Sequence, residues 1–479
     1  MGLAGILISL FLLMFLAYRG VTVLVLAPIL ALFAVLLSGE APLLASYTQI
    51  FMPALGKYLI LYFPIFMLGA IFGKLMDDSG SARAIAHWIV AHTGKERAIL
   101  AIVLACAILT YGGVSLFVVA FAVFPIAVAL FREANVPKRL IAGAIALGSF
   151  TFTMTALPGT PAIQNAIPMP FFGTTPFAAP GLGMIAAVIM FVGGMMWLNR
   201  RARVAAARGE NYGDSDTTGS TKGDSSVADP DAIDGGAVGT RASAELPGIV
   251  VALIPIVLVI ALNALLTYVI IPAMDSSYLA QDRYGATNIG SVRGIWALIG
   301  ALVIAIVVLI FLNLKRLADV KSSINAGTMG SLLPIFNTAS EVGYGATIAS
   351  LPAFIVIRDA VLNISPGNPL ISLAVAVNVL AGVTGSASGG LSIALQTLGE
   401  TYMQLAQQFG IDPEVMHRVA SLSSGGFDAL PHNGAVITLL AICGLTHRQS
   451  YLDIFMVTIV APVVAIITVV ILGTMFGSF

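Results

Sequence analysis

Charge is what this chain has least of. Only 10% of its 479 residues are Asp, Glu, Lys or Arg, against about 25% in a soluble domain, so most of its surface is not built to face water. The charges cancel, 23 basic against 23 acidic, which leaves no basic surface for nucleic acid. Cysteine is nearly absent. Cys106 and Cys443 each lie in an apolar run; neither a disulfide framework nor a CxxC motif exists, and both read as small buried hydrophobes. Phosphate loops, metal-ligand spacings and nucleophile elbows are also missing, so the sequence supports no enzyme, cofactor or metal. The N-terminal MGLAGILISLFLLMFLAYRG lacks the basic region and cleavage pattern of a secretory signal, and the Ser or Thr of a myristoylation signal. It reads as a first membrane helix.

What is present is apolar length. The chain is 58% hydrophobic with mean hydropathy +0.98. Its runs are continuous, unlike the short alternating strands of a barrel. Backbone groups in lipid must be satisfied within the segment, so the expected class is an all-α polytopic membrane protein. A span takes about 20 apolar residues. Candidates are 2–18, 21–38, 57–73, 98–131, 140–170, 181–198, 246–272, 294–312, 329–357, 369–406, 415–445 and 451–476. Residues 199–245 are rich in Gly, Ser and Asp, with nothing to bury, and are expected to form a flexible linker. They separate a first unit, 1–198, from a second, 246–479.

Lys and Arg concentrate in cytoplasmic loops. Arg200, Arg201, Arg203 and Arg208 assign the linker to the inside, as Lys315, Arg316 and Lys321 do for 313–324. Arg19, Lys74, Arg83, Lys95, Arg97, Arg132, Lys138 and Arg139 are inside too, with Lys57 as the exception. Residues 98–131 then have both ends inside, are long for one helix, and are interrupted by TYGGVS (110–115); a re-entrant hairpin fits. Residues 369–406, broken by TGSASGGLS (384–392), have both ends outside. PIF at 64–66 recurs at 334–336, GGVS at 112–115 as GGLS at 389–392, and ALPGTPAI at 156–163 as ALPHNGAV at 429–436. Order and spacing match. The expectation is two inverted repeats, each with about five spans, one re-entrant hairpin and a discontinuous helix. That is the architecture of secondary transporters.

Irregular backbone at membrane depth survives where protein or a water-filled cavity covers it. Pro158 and Pro431 break helical bonding, and the freed N–H groups and half-helix N-termini favour an anion. The expected site gathers Gly112, Gly113 and Ser115, then Thr384, Ser386, Ser388, Gly389 and Gly390, at the hairpin tips. The broken spans add Thr155, Gly159, Thr160, Gln164, Asn165 and Asn433. For the glycines and serines the other reading is tight helix packing, and for Gln164 and Asn165 interhelical bonding. Asp428 and His432 share a face if a helix persists between them. An anionic substrate would repel a charged Asp428 unless a proton arrives with it, which is a route to proton symport; a structural brace is the alternative. Glu341, deep in NTASEVGYGATIAS, is a coupling candidate or a hydrogen-bonded packing residue. Arg358 with Asp359 reads as a solvated interface pair, and His417 with Arg418 as helix-end anchors.

YGGVSLFVVAFAVFPIA (111–127), TALPGTPAIQNAIPMPFFGTT (155–175) and SSGGFDALPHNGAVITLL (423–440) together resemble the gluconate:proton symporter (GntP) family of the ion transporter superfamily. The resemblance covers nearly the whole chain outside 199–245. It implies a bacterial inner-membrane permease for small hydroxy-monocarboxylates such as gluconate or 3-hydroxybutyrate, with proton symport and often a dimeric elevator. ALPHNGAV looks closer to the D-3-hydroxybutyrate branch. Few basic residues fall in the expected site, so neutral donors rather than an arginine clamp are expected to hold a monocarboxylate. A sodium-coupled carboxylate symporter and an anion channel remain open as alternatives.

Overall fold

The computed structural model describes residues 2–19, 21–213 and 246–479. Every regular element among them is helical, and the protein is an all-α polytopic membrane protein. The first series is α1 (Gly2–Tyr18), α2 (Val23–Ser38), α3 (Leu43–Asp78), α4 (Ser81–Thr93), α5 (Ala98–Tyr111), α6 (Leu116–Glu133), α7 (Leu140–Ser149), an irregular stretch, and α8 (Pro180–Ala207). The second is α9 (Ile249–Ala273), α10 (Ile289–Asn313), α11 (Val320–Ala349), α12 (Phe354–Leu362), α13 (Pro369–Thr384), α14 (Ala387–Phe409), α15 (Pro413–Ser424), an irregular stretch, α16 (Gly434–Cys443) and α17 (His447–Phe476). In both series a helix pair, one further helix and an irregular stretch follow one another.

Local chemistry accounts for several boundaries. The apolar segments at 98–131 and 369–406 each fold as two helices packed on each other. Gly113 (φ 93°) and Gly385 (φ 65°) occupy the left-handed turns between them. In α3, α9 and α17 a π turn immediately precedes Pro53, Pro272 and Pro462; a proline has no N–H to keep the ladder in register. The expected span 329–357 instead ends at Ala349 and turns by 99° into α12, because Pro352 forbids helical continuation. Nor did the apolar runs mark α4, an amphipathic helix that buries Ala82, Ile85, Ala86 and Ile89 along one stripe. Residues 199–207, expected in the linker, are the last turns of α8. Alanines and arginines there form good helix, and Arg201 is fixed by a buried partner. Residues 214–245 of that linker lie outside the described residues.

Buried Asp453, near the start of α17, gathers one end of the molecule. It accepts from Trp197 Nε1 (2.9 Å), Arg201 Nε (2.9 Å) and Arg139 Nη1 (3.0 Å). Arg139 also binds Glu210 at 2.7 Å, Asn135 meets Asn211 at 2.8 Å, and Lys95 lies 3.6 Å from Glu133. The hairpin α5–α6 opens at this end. The opposite end joins the Gly181 N–H to the Phe479 carbonyl (2.6 Å) and Asn368 Nδ2 to Thr474 Oγ1 (2.7 Å), and there α13–α14 opens. The two groups are separated by α17, whose 30 residues span about 45 Å. Packed antiparallel, α8 and α17 connect them.

Asp453→Asn leaves Arg201 without its anion and Arg139 with Glu210 alone. The expected loss is about 3 kcal/mol, read as a lower Tm in detergent; an unchanged Tm would assign this junction to packing alone. Hydrogen bonds from Arg139 hold Glu210 below the usual carboxylate range. Its stabilisation is complete above the ordinary glutamate pKa and is lost as pH falls through the lowered one.

Candidate functional site: two hairpin tips against two broken spans

The first tip is Tyr111 to Ser115. Tyr111 Oη donates to the Pro158 carbonyl at 2.7 Å, and a Cβ on Gly113 would sit 3.0 Å from Pro161 Cγ. A Cβ on Gly112 would strike Ile256 of α9 at 2.7 Å. Ser115 precedes α6 with its N–H against Gly73 of α3. The tip is therefore wedged between scaffold helices and the first break.

That break is held from outside itself. Gly159 (φ 77°) donates its N–H to Pro176 (2.9 Å), and its carbonyl accepts from Asn263 Nδ2 of α9 (3.1 Å). Asn165 Nδ2 donates to the carbonyls of Thr160 (3.1 Å) and Pro176 (2.8 Å). Its Oδ1 therefore accepts, from His417 Nε2 (3.2 Å) and Arg418 Nη1 (3.3 Å). Thr174 Oγ1 lies 2.6 Å from His417 Nδ1, so the ring carries its proton on Nε2. The Thr155 carbonyl accepts from Arg418 Nη1 (3.2 Å) and Ser421 Oγ (2.9 Å). Gln164 Oε1 is buried without a hydrogen-bond partner among the described residues, an orphan acceptor inside the break.

The second tip repeats this plan. Ser386 caps α14 by accepting from the Gly389 N–H at 3.0 Å, and Thr384 Oγ1 donates to Leu380 at 2.9 Å. Ser388 Oγ lies 3.3 Å from Thr338 Oγ1 of α11. Gly390 lets α14 approach the Ala381 backbone. Buried Glu341 lies on Gly389, where any Cβ would collide with its carboxylate. Tyr58 Oη and Ser392 Oγ, beside that acid, are buried next to one another.

The second break, 425–433, is non-helical. Asp428 and His432 therefore do not share a helix face, and no hydrogen bond or ion pair joins them. His432 Nε2 donates to the Gly382 carbonyl at 3.0 Å. Asn433 caps α16 through the Val436 N–H (3.0 Å) and donates Nδ2 to Gly385. From α17, His447 Nε2 donates to Pro431 (2.9 Å) and Tyr451 Oη to Ala429 (3.1 Å). Asp428 Oδ1 is buried without a hydrogen-bond partner.

The expected residues thus form two clusters. Tyr111 and Gly113 meet the 155–165 break, while Gly112 and Ser115 lie against α9 and α3. At the second tip Gly389 meets Glu341, Gly385 meets His432 and Asn433, Ser388 meets Thr338, and Thr384, Ser386 and Gly390 bond or pack within the hairpin. Bonded to Thr155 and leading to Asp428, α15 joins them. The second arm of each hairpin packs on the other half's broken span, α6 on α16 and α14 on residues 163–172. His417 and Arg418 are not anchors; both are fully buried. Their signal was PEVMHRVASLSS itself, a polar helix ahead of an apolar one. Asn263 and Tyr58, single polar residues inside apolar spans, gave no comparable signal. Arg358 and Asp359 form the expected exposed pair at 3.0 Å.

The chain is 47% identical over 477 residues, covering 98% of both sequences, to the uncharacterized transporter YxjC of Bacillus subtilis (strain 168). The chain belongs to the family of that transporter. No protein-family model matches it. Membrane helices and this relationship together make the protein a multi-pass membrane transporter.

Gly389→Ala forces Glu341 off the second tip. Overpacking of this kind costs about 1–3 kcal/mol, so a lower Tm and lost transport are expected. Adding Glu341→Ala should restore the Tm but not transport; a wild-type Tm in the single variant would contradict the close approach.

Proposed function

We propose that the transporter is a secondary carrier that brings a small hydroxy-monocarboxylate into the cell together with a proton across the bacterial inner membrane. One observation carries the reading: each hairpin tip is bonded to a helix break of its own half, Tyr111 to Pro158 and Asn433 to Gly385. Discontinuous helices facing hairpin tips are how secondary carriers build midplane sites. That the hairpins open toward opposite ends of α17 supports inverted repeats. The resemblance to the gluconate:proton symporter family supplies the substrate class, with 3-hydroxybutyrate or a gluconate-like sugar acid as candidates and a homodimer as the expected assembly.

In this reading the substrate carboxylate binds at the tips and breaks formed by Gly112, Gly113, Ser115, Thr155, Gly159, Thr160, Gln164 and Asn165, and by Thr384, Ser386, Ser388, Gly389, Gly390 and Asn433, exchanging some of their internal hydrogen bonds for bonds to it. Asp428 carries the coupling proton, because its carboxylate has an oxygen with no internal donor and a bound anion disfavours its charged form. Glu341 is the second acid able to couple the tip to protonation. With its Nε2 proton committed to Gly382, His432 takes a further proton only on Nδ1.

Proteoliposomes are expected to take up protons when 3-hydroxybutyrate or gluconate is added. Uptake driven by sodium at fixed pH, or conductance without gradient coupling, would reject the reading. Asp428→Asn is expected to abolish uphill accumulation with expression intact; normal accumulation would remove Asp428 from the mechanism. Stronger competition by citrate or succinate than by hydroxy-monocarboxylates would reject the substrate class.

A further inference from the structure

Arg418 is fully buried, the largest side chain that is. Four of its five N–H donors meet neutral acceptors. Nε and Nη2 donate to the Ala178 carbonyl at 3.1 and 2.6 Å, and Nη1 to the Thr155 carbonyl at 3.2 Å and Asn165 Oδ1 at 3.3 Å. No ion pair holds it among the described residues. Glu414, one turn earlier on α15, is occupied by the Ala179 N–H (3.1 Å) and Ser478 Oγ (2.9 Å). A guanidinium does not deprotonate in proteins. A whole positive charge therefore lies inside the molecule with only dipoles in contact with it and the Glu414 carboxylate one turn away, an expensive arrangement.

Holding the break does not require that charge. Ser421 Oγ bonds the same Thr155 carbonyl at 2.9 Å, and a glutamine or asparagine could donate to Ala178. What a neutral donor lacks is a field that reaches across a low-dielectric interior. The carbonyls Arg418 grips bound the first break. We propose that Arg418 is the fixed positive charge that makes the first break attract a carboxylate, acting through Thr155, Asn165 and Ala178 without touching the substrate. It is a positioning residue, and the inference rests on the carrier reading above for its substrate.

The test measures binding of 3-hydroxybutyrate, gluconate and their neutral amides to the purified transporter in nanodiscs, with thermal unfolding alongside. Arg418→Gln weakens both acids by about tenfold or more and leaves the amides unchanged. Arg418→Lys keeps the charge and holds acid affinity within about threefold. Ser421→Asp sets a carboxylate beside the Thr155 carbonyl. It reproduces the acid-specific loss with Arg418 in place, so the test survives a Gln variant that does not fold. Equal losses for acid and amide, or unchanged acid affinity in Arg418→Gln or Ser421→Asp, overturn the inference. A wild-type preference for the amides does so as well. A wild type that prefers carboxylates without the hydroxyl removes the substrate class proposed above, and the charge inference is then decided on those carboxylates with the same variants.

Discussion

An unpaired carbonyl or amide in hydrocarbon costs several kcal/mol, and two interrupted spans create many of them. Here the freed carbonyls are met one by one. Thr155 has Arg418 and Ser421, Pro158 has Tyr111, Gly159 has Asn263, Thr160 and Pro176 have Asn165, and Ala178 has Arg418. In the second half Gly382 has His432, Gly385 has Asn433, Ala429 has Tyr451 and Pro431 has His447. Most of these donors belong to other helices. The breaks are therefore tertiary constructions: they exist only when α5, α9, α15 and α17 are already in place.

The same constraint limits what the hairpin tips can be made of. A tip pressed against irregular backbone has no room for side chains, which is why Gly112, Gly113, Gly389 and Gly390 meet neighbouring atoms at the distance a Cβ would need. The second tip uses the vacated volume for a carboxylate, Glu341, and the first uses it for Pro161. One architecture thus carries two chemistries, acidic at one tip and apolar at the other.

Much of this could be read from residues in order. Long apolar runs, the Gly-Ser interruptions and the recurring ALP motif marked the spans, hairpins and breaks, because each rests on local backbone chemistry. Partnership could not be read. Asp428 and His432 are four residues apart, a spacing that would pair them on a helix, yet the backbone between them is unwound and His432 turns to α13. Arg418 read as a helix-end anchor because the polar stretch around it marks a helix but not the carbonyls of Thr155 and Ala178 that bury it. The helix α4 escaped because an amphipathic stripe lying against other helices lacks the length of a span. In each case the deciding contact comes from a segment distant in sequence.

Charge accounting links the two clusters. Beside the two breaks lie the buried cation Arg418 and the acids Glu341 and Asp428. A monocarboxylate entering alone would add a second negative charge to the Asp428 break and meet repulsion there. Entering with one proton, it leaves the total charge of the site as it found it, and the loaded and empty forms then have similar costs of burial. Such a carrier moves no net charge at a ratio of one proton per monocarboxylate, so the membrane potential does no work on the cycle and the proton concentration difference alone drives accumulation. A second proton per substrate would break this balance by leaving the loaded site one charge more positive than the empty one. In the proposed carrier, charge balance on binding therefore favours one proton per monocarboxylate over two.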